Sequence, residues 1–567
     1  MSEISESGSL KKVLWQGAAL LGGAALLSKL IGTLQKIPLQ NIAGDEVFGL
    51  YSAVNSLAIM WITLAAAGIP VAVSVLVAER VAIGDERGAK RVLNWSLGLL
   101  GLSGLLMFIL LFSCADLFAR WMGVEMAASA IRMSSIALLF APATAVLRGY
   151  KQGKMQMFKP ALSQLVEQIA RVCFMLIALL WAVSMAWSPA STAAAVHGGM
   201  AIGAAAGLIV MLGLRFPLRL WKKSAPIMVR SVGAKKIFTN RPSIRKLELP
   251  ESRSKLLKRI VAVAVPVAIA SVVAPLIGLI DAFSIPGLLQ QNRIAPEQAI
   301  AEFGVYHRGI ALLQLVVMAA GGAAAALVPT LTAARAKGDD SDSSSRATFA
   351  MRIAWWFGSA AAVGLALLAL PINITLFADD SGTTAMVLMA IAMLGGTLQA
   401  VSAALLQGLG DLKSPAINLA AAATFKLALN AMLVPAYGIR GAAAAMAAAF
   451  AAAALLNALS LRQRVELPAP RLTVAWRSTA SLAAMAAAVA VSVLALGALT
   501  AALPARSAAL LTALPGVMIG AAVFAVALVA TGAIAPQQLR ELPGIAGSPV
   551  ERWLLRLHNA ISPSKRG

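Results

Sequence analysis

Long apolar segments separated by short polar connections make up most of the chain. A helix needs about 20 consecutive apolar residues to cross roughly 30 Å of hydrocarbon. Fourteen segments meet this requirement and are numbered as spans 1 to 14; they lie near residues 13–38, 47–78, 92–115, 128–149, 160–186, 192–214, 258–286, 304–332, 349–377, 384–409, 414–436, 440–462, 473–502 and 506–532. The pattern predicts an all-α polytopic membrane protein with about fourteen transmembrane helices.

The composition supports a membrane protein and argues against several other classes. Of the 567 residues, 59% are hydrophobic and 13% are charged, and the mean hydropathy is +0.81. Soluble domains are nearer a quarter charged. Cys114 and Cys173 both lie inside spans, so neither a disulfide framework nor a paired-cysteine metal site is expected. Metalloprotease, nucleotide-binding and serine-hydrolase signatures do not occur, and we expect no catalytic residue, cofactor or metal.

The distribution of positive charge predicts the topology. A net charge of +24 is compatible with nucleic-acid binding, but fourteen Lys or Arg residues lie within 215–259, where only two acids occur. Cations also recur in the connections after spans 2, 4, 8, 10 and 12, whereas connections after odd-numbered spans hold few. This alternation follows the positive-inside rule. It predicts that both termini lie in the cytoplasm, with a lipid-facing basic loop and no nucleic-acid partner.

An internal repeat divides the chain into halves. QGKMQMFKPA (152–161) aligns with QGLGDLKSPA (407–416) at an offset of 255 residues, and FGLY (48–51) aligns with FGVY (303–306) at the same offset. The offset contains six spans, an even number, so both halves should have the same orientation in the membrane. We therefore predict two parallel six-helix lobes plus two extra C-terminal helices. Such lobes suggest alternating access, although an architecture does not name a substrate.

The predicted domains follow from the repeat and the charge pattern. They are an N-terminal lobe (1–214), a basic cytoplasmic linker (215–257), a C-terminal lobe (258–462), spans 13 and 14 (463–535) and a cytoplasmic tail (536–567). In the tail, Val550, Trp553, Leu554 and Leu557 share one helical face, which predicts a short interfacial helix at 549–561.

Ionisable side chains inside the spans are the candidate functional residues, because a charge at bilayer depth usually faces a cavity or a partner. The candidate substrate-binding cations are Lys29, Lys36, Arg171, Arg308 and Lys426. The acids Glu167 and Asp281 are candidates for ion coupling or for ion pairs. A cavity lined by these side chains would be mainly cationic and would suit an anionic head group.

Several candidates have a purely structural alternative. Lys36 and Arg308 lie near the outer ends of their spans, where they could snorkel to the interface. Glu167 and Arg171 are four residues apart and could form an ion pair within one helix. Arg148 is assigned, with the lysines that follow it, to a cytoplasmic turn between spans 4 and 5 that chiefly fixes topology.

Three motifs together resemble a known family. RGYxQGxxxMxxPAxSQxxEQxxRV (148–172), QGxGDxKxPAxN (407–418) and NAMLVPAYGIRGAA (430–443) are similar to the SpoVB/MurJ-like branch of the MOP exporter superfamily. The resemblance covers residues 10–535 and implies a fourteen-helix, two-lobed flippase. It implies export of an undecaprenyl-pyrophosphate-linked cell-wall precursor, lipid II-like, from the inner to the outer leaflet. The cationic cavity would take the head group, and a groove beside spans 13 and 14 would take the lipid tail.

The resemblance also implies roles for individual residues. Lys29, in SKLIG, stands where MurJ-type members have a first-helix arginine, and Gln35 stands at a second such position with Lys36 adjacent. Arg308 matches an arginine near the start of the eighth helix. The second-helix cation of MurJ-type members has no counterpart in 50–68, a departure that suits the SpoVB-like branch. The implied location is the bacterial plasma membrane. The implied partners are the glycan lipid, membrane lipids and cell-wall synthesis proteins, and a monomer is expected.

Other functions fit parts of the pattern. An exporter of another polyprenyl-linked polysaccharide would use the same cationic cavity, whereas a multidrug or cation antiporter of the superfamily would use an acidic one. An integral-membrane glycosyltransferase would need carboxylates in a sizeable loop, and the outer connections have about sixteen residues at most. A sporulation or division scaffold would leave the buried cations without a role. We expect a secondary transporter and not an enzyme.

Overall fold

The protein is built from α-helices throughout the part of the chain that the structure, a computed structural model, describes. That part comprises residues 20–66, 68–213, 253–336, 340–467 and 472–534, together with residues 17 and 552. It contains no β-strand. Most of the basic linker, and the tail helix predicted at 549–561 apart from residue 552, lie outside the described residues.

The helices are numbered in chain order. They are α1 (residues 20–34), α2 (Lys36–Ala66), α3 (Ile69–Ala82), α4 (Glu86–Ser113), α5 (Ala115–Trp121), α6 (Ala128–Ser135), α7 (Ala141–Gly153), α8 (Phe158–Ser184), α9 (Pro189–Leu212), α10 (Arg253–Gln290), α11 (Pro296–Ala336), α12 (Asp340–Phe377), α13 (Thr383–Gly408), α14 (Lys413–Arg462), α15 (Leu472–Leu499) and α16 (Ala505–Ala530). Short 3-10 segments precede and follow α6.

Two glycines explain how the helices make up fourteen spans. Twelve stretches of the described chain are long and apolar enough to cross a membrane. Gly44 (φ 78°) breaks the first of them, Leu20–Ala82, and Gly438 (φ 58°) breaks α14. Side chains disfavour such positive φ values, whereas glycine adopts them readily. Each break separates two spans, so the prediction of an all-α membrane protein with about fourteen transmembrane helices is confirmed.

The helices form two compact units. Unit 1 comprises Met1–Gly287 with Ala295–Ala301, and unit 2 comprises Leu288–Ile294 with Glu302–Gly567. Helix α10 belongs to unit 1 up to Gly287, because Leu256, Ile260 and Ala264 pack into a core formed with α3, α4 and α7. The sequence assigned this helix to the C-terminal lobe instead, and the predicted lobe boundaries remain a proposal.

Helix α12 organises the packing within unit 2. On one side it shares a core with α11, α13 and α14 that includes Ala354, Leu405 and Leu461. On the other side it packs against α15 and α16, and Trp356 Nε1 donates a hydrogen bond to Ser478 Oγ at 2.9 Å. The two C-terminal helices that follow the repeat are therefore anchored to unit 2 through α12.

The turn between α7 and α8 recurs between α13 and α14. The helix ends at 153 and 158 reappear at 408 and 413, a shift of 255 residues at both boundaries. Each turn contains one residue with positive φ at the same relative position, Met155 (60°) and Gly410 (82°). Each turn is closed by a 2.9 Å backbone hydrogen bond at the same relative position: the Gln156 N–H donates to the Lys151 carbonyl, and the Asp411 N–H donates to the Leu406 carbonyl. The aligned sequences thus fold alike, as an internal repeat requires.

Candidate substrate site

Unit 1 contains a group of polar side chains within its membrane-spanning helices. They come from the α1–α2 junction, α2, α8 and α9, and we call them the polar cluster of unit 1: Gln35, Lys36, Tyr51, Asn55, Arg171 and His197. Lys36 is 7% exposed and His197 is fully buried. Because polar groups at bilayer depth need partners, the contacts of the cluster decide what it can do.

Tyr51 connects the two ends of the cluster. Its hydroxyl accepts a hydrogen bond from Gln35 Nε2 at 2.8 Å and lies 3.5 Å from Arg171 Nη2. Arg171 Nη2 also donates to Asn55 Oδ1 at 2.9 Å. Lys36 is close enough to Arg171 for the two positive charges to repel each other. The structure therefore brings together two of the cations that the sequence places in a substrate cavity.

The cluster has hydrogen-bond donors that the described residues do not use. Both hydrogen bonds of Arg171 come from Nη2, so Nε and Nη1 have no acceptor in the described part of the chain, although a guanidinium carries five N–H groups. Gln168 lies three residues earlier on α8, and its buried Nε2 also has no hydrogen-bond acceptor among the described residues. Arg171 is half-buried, so its N–H groups can reach water or a ligand, whereas a buried donor such as Gln168 Nε2 is normally hydrogen-bonded. These donors therefore suit a ligand rich in acceptor atoms.

His197 lies against Tyr51 where α9 approaches α8 closely. The centroids of the two rings are 5.0 Å apart, and His197 Nδ1 lies 2.8 Å from the carbonyl oxygen of Ala193. Glycine makes the close approach possible, because a Cβ at Gly199 would lie 2.7 Å from the carbonyl oxygen of Arg171. Any larger residue would push α9 away and open the cluster.

Glu167 pairs with Arg148 on α7. Arg148 Nη2 lies 2.6 Å from Glu167 Oε2 and 2.8 Å from Ser163 Oγ, which in turn donates to the carbonyl oxygen of Gly207 at 2.8 Å. This network joins α7, α8 and α9. Arg148 is thus a helical residue with a structural partner, and its assignment to the cytoplasmic turn is wrong. Glu167 thus pairs with Arg148 and not with Arg171 of the same helix, and Arg171 instead contacts Tyr51 and Asn55 of the polar cluster.

Arg308 of unit 2 forms a bidentate ion pair with Asp379. Its side chain is fully buried on α11, and Nη1 and Nη2 lie 2.6 and 2.9 Å from the two carboxylate oxygens of Asp379. The guanidinium also lies 5.3 Å from the ring centroid of Phe377. Burial raises the pKa of Asp379, but hydrogen bonds from Arg308 and the Ser381 N–H outweigh it and hold that pKa below its usual value. The carboxylate is therefore a charged partner at neutral pH.

Lys426 is fully buried on α14. Eight residues before it, Asn418 Nδ2 donates to Asn457 Oδ1 and Ser460 Oγ, both at 3.0 Å. These contacts tie the two parts of α14 together across the break at Gly438. Lys426 thus lies on a helix segment that is fixed at its start by a polar network.

The remaining candidates differ in burial. Lys29 is exposed on α1, and Asp281 is 1% exposed on α10. By chain position, Lys29, Lys36, Glu167, Arg171 and Asp281 belong to unit 1, and Arg308 and Lys426 belong to unit 2. Among the described residues, no group of three or more His, Cys, Asp or Glu side chains is placed to hold a metal ion.

Sequence comparison relates the chain to one protein family and to membrane proteins of Bacillus subtilis. Residues 14–335 match the family described as polysaccharide biosynthesis protein. The chain is 31% identical over 543 residues to the uncharacterized membrane protein YabM of Bacillus subtilis (strain 168), covering 96% of this chain and 97% of that protein. It is 24% identical over 468 residues to the lipid II flippase MurJ of the same organism, covering 79% and 82% of the two chains.

Solved structures share the fold. A multidrug resistance MATE family transporter of the MOP superfamily, inward-facing, has a TM-score of 0.62 at 18% identity and covers 77% of this chain and 94% of its own. The lipid II flippase MurJ, inward closed, has a TM-score of 0.59 at 13% identity, with coverage of 90% and 98%. The chain is a multi-pass membrane protein and belongs to the polysaccharide biosynthesis protein family, within the SpoVB/MurJ-like flippase branch of the MOP exporter superfamily.

Proposed function

We propose that the protein is a flippase that moves an undecaprenyl-pyrophosphate-linked cell-wall precursor, a lipid II-like molecule, to the outer leaflet by alternating access. Its termini would lie in the cytoplasm, and it would act as a secondary transporter without chemistry on the glycan. The observation that carries the proposal is the polar cluster of unit 1, in which the buried Lys36 and the half-buried Arg171 lie near each other.

The chemistry of the cluster suits a diphosphate. A diphosphate carries about two negative charges and many acceptor oxygens, and charge-assisted hydrogen bonds to it strengthen where water is scarce. Arg171 offers Nε and Nη1, and Gln168 offers Nε2, as donors not used within the described chain. Lys36 would add a point charge without the planar fork of arginine.

The same cluster argues against a drug or cation antiporter, even though the fold is shared with a MATE transporter. A cationic substrate needs an uncompensated carboxylate. Glu167, the acid of α8, is held by Arg148 at 2.6 Å and so has its charge compensated. The polar cluster itself contains no acid and at least two cations. It would repel a cation and attract an anion.

A second candidate is the export of another polyprenyl-linked polysaccharide unit, which the family description favours. Such a molecule carries the same diphosphate and would use the same cations. The two candidates differ only in the sugar, so both predict that the diphosphate is recognised by the polar cluster.

Diphosphate recognition can be measured by binding. We expect the purified full-length protein in detergent to bind a short-chain prenyl diphosphate more tightly than the corresponding monophosphate. Replacing Lys36 by alanine should weaken diphosphate binding by about tenfold or more, because one charged hydrogen-bonding group contributes about 1.5–3 kcal/mol.

The exposed Lys90 on α4 provides a matched control, and Lys90→Ala should leave the affinity unchanged. Equal affinity of the wild-type protein for the monophosphate and the diphosphate, or a Lys36→Ala variant that binds as the wild type does, would refute this role for the cluster.

A further inference from the structure

The imidazole of His197 has one nitrogen that the fold uses and one that it does not. Nδ1 lies 2.8 Å from the carbonyl oxygen of Ala193, which can only accept a hydrogen bond. Nδ1 therefore carries the proton in the neutral ring, and Nε2 presents a lone pair. Nε2 is buried and makes no hydrogen bond of good geometry within the described residues, although the backbone carbonyl of Tyr51 also acts on the ring. The ring is thus held in the tautomer that leaves a proton-accepting nitrogen in the interior.

One cation acts on this imidazole. That cation is Arg171, and Lys36 lies near Arg171 in the same cluster. The Tyr51 ring packs against His197. Its hydroxyl accepts a hydrogen bond from Gln35, the neighbour of Lys36 in the sequence, and lies 3.5 Å from Arg171 Nη2. An imidazolium would place a further positive charge beside Arg171.

Two ion pairs lie on the helices near α9. On α7 and α8, Arg148 and Glu167 neutralise each other next to Gly207, which lies ten residues beyond His197 on α9. Arg132 on α6 is paired with Asp116 on α5. The charge that acts on the His197 ring is that of Arg171, and it is positive.

We propose that His197 is the binding site of a proton that the protein takes up together with its anionic cargo. The inference rests on the proposed function. In the empty site, the repulsion from Arg171 opposes protonation of His197. A diphosphate bound by Arg171 and Lys36 brings about two negative charges and removes that repulsion. A hydronium ion from the surrounding water then transfers a proton to the Nε2 lone pair: an N–H bond forms, an O–H bond of the hydronium breaks, and an imidazolium and a water molecule result.

Linkage makes the effect reciprocal. If the diphosphate favours the proton on His197, the proton must favour the diphosphate by the same factor. Affinity for the diphosphate should therefore rise as the pH falls, by at most tenfold per pH unit for one proton. The proton would also offset part of the negative charge that the head group brings into the membrane.

Calorimetric titration tests the inference directly. Wild-type protein in detergent is titrated with a short-chain prenyl diphosphate at one pH in buffers of different ionisation enthalpy, and the dependence of the measured heat on that enthalpy gives the protons taken up. The ligand contributes its own protonation equally to every variant. We expect the wild type to take up a larger fraction of a proton than His197→Asn, whose amide can donate to Ala193 but cannot titrate.

Two further variants control for structure and position. His197→Phe keeps a ring against Tyr51 and should show the same low proton count as His197→Asn. His307→Asn replaces the second histidine that is buried in the described part of the chain, on α11 of unit 2, and should behave as the wild type does.

The outcomes separate the two proposals. Diphosphate binding with equal proton counts in wild type and His197→Asn would overturn the role of His197 alone. Failure of the wild type to bind the diphosphate would overturn the proposed function and this inference with it. Loss of the proton difference in His307→Asn would assign the proton to unit 2 and contradict the inference.

Discussion

Replacing Arg171 by alanine is expected to slow flipping of a polyprenyl-diphosphate-linked glycan by about 10- to 100-fold, the effect of losing one charged hydrogen-bonding group. Arg171 is held by Asn55 and Tyr51 through Nη2, which leaves Nε and Nη1 for the substrate. The measurement is the appearance of a fluorescent lipid in the opposite leaflet of proteoliposomes. Arg171→Lys should be intermediate, because it keeps the charge and loses the fork.

The control for this loss is an arginine of the same chain without a buried role. Arg87 is exposed at the start of α4, and Arg87→Ala should flip lipid at the wild-type rate. Equal amounts of each variant must be recovered in the vesicles. A rate for Arg171→Ala within twofold of the wild type would remove Arg171 from the substrate site.

Replacing Asp379 by alanine is expected to destabilise the folded protein more than any other substitution proposed above. Arg308 is fully buried, and without Asp379 its charge would lose both carboxylate contacts. Breaking a buried ion pair from one side costs about 3–5 kcal/mol, and solvent at the 43% exposed Asp379 side chain reduces this to about 2–3 kcal/mol. The measurement is Tm of the purified protein in detergent, which should fall clearly below that of the wild type.

A neighbouring acid and a double variant sharpen this test. Asp380 is exposed and adjacent in sequence, and Asp380→Ala should change Tm little. Combining Asp379→Ala with Arg308→Met removes the buried charge that has lost these contacts and should recover most of the lost stability, because an apolar side chain tolerates the buried position. If Asp379→Ala melts as the wild type does, the ion pair contributes nothing to the fold.

The membrane-spanning architecture could be predicted from the sequence because it depends on local composition. Apolar length alone identified the spans, and the offset of 255 residues anticipated a turn that folds alike at 153–158 and 408–413. The closely joined spans 11 and 12 were also separated correctly, near the place where Gly438 breaks α14. Glycine is the residue that permits such a break, and it is visible in the sequence.

The pairing of charges could not be predicted, because it depends on which helices become neighbours. Arg308 finds Asp379 71 residues away, across the end of α12, and no spacing rule connects them. Glu167 had a helical neighbour in Arg171 at the favourable spacing, yet it pairs with Arg148 from the preceding helix. Tertiary packing outweighed local spacing in both cases.

Tyr51, Asn55 and His197 of the polar cluster were missed for a related reason. Tyr51 was visible only as the last letter of the repeated FGLY motif, and His197 lies in a strongly apolar helix beside Gly198 and Gly199. The paired glycines were a usable signal, since they mark a close approach of two helices and make a polar neighbour between them significant. Gly199 indeed lies against Arg171.

The central proposal, that this chain flips a diphosphate-linked glycan lipid by means of the polar cluster of unit 1, is tested most directly by transport itself. Proteoliposomes containing the wild type or the Lys36→Ala, Arg171→Ala double variant are given a fluorescent undecaprenyl-diphosphate-linked glycan, its monophosphate-linked counterpart or a neutral glycolipid. We expect the wild type to flip the diphosphate-linked lipid selectively and the double variant to match protein-free vesicles. Equal flipping of all three lipids, or unchanged selectivity in the double variant, would contradict the proposal.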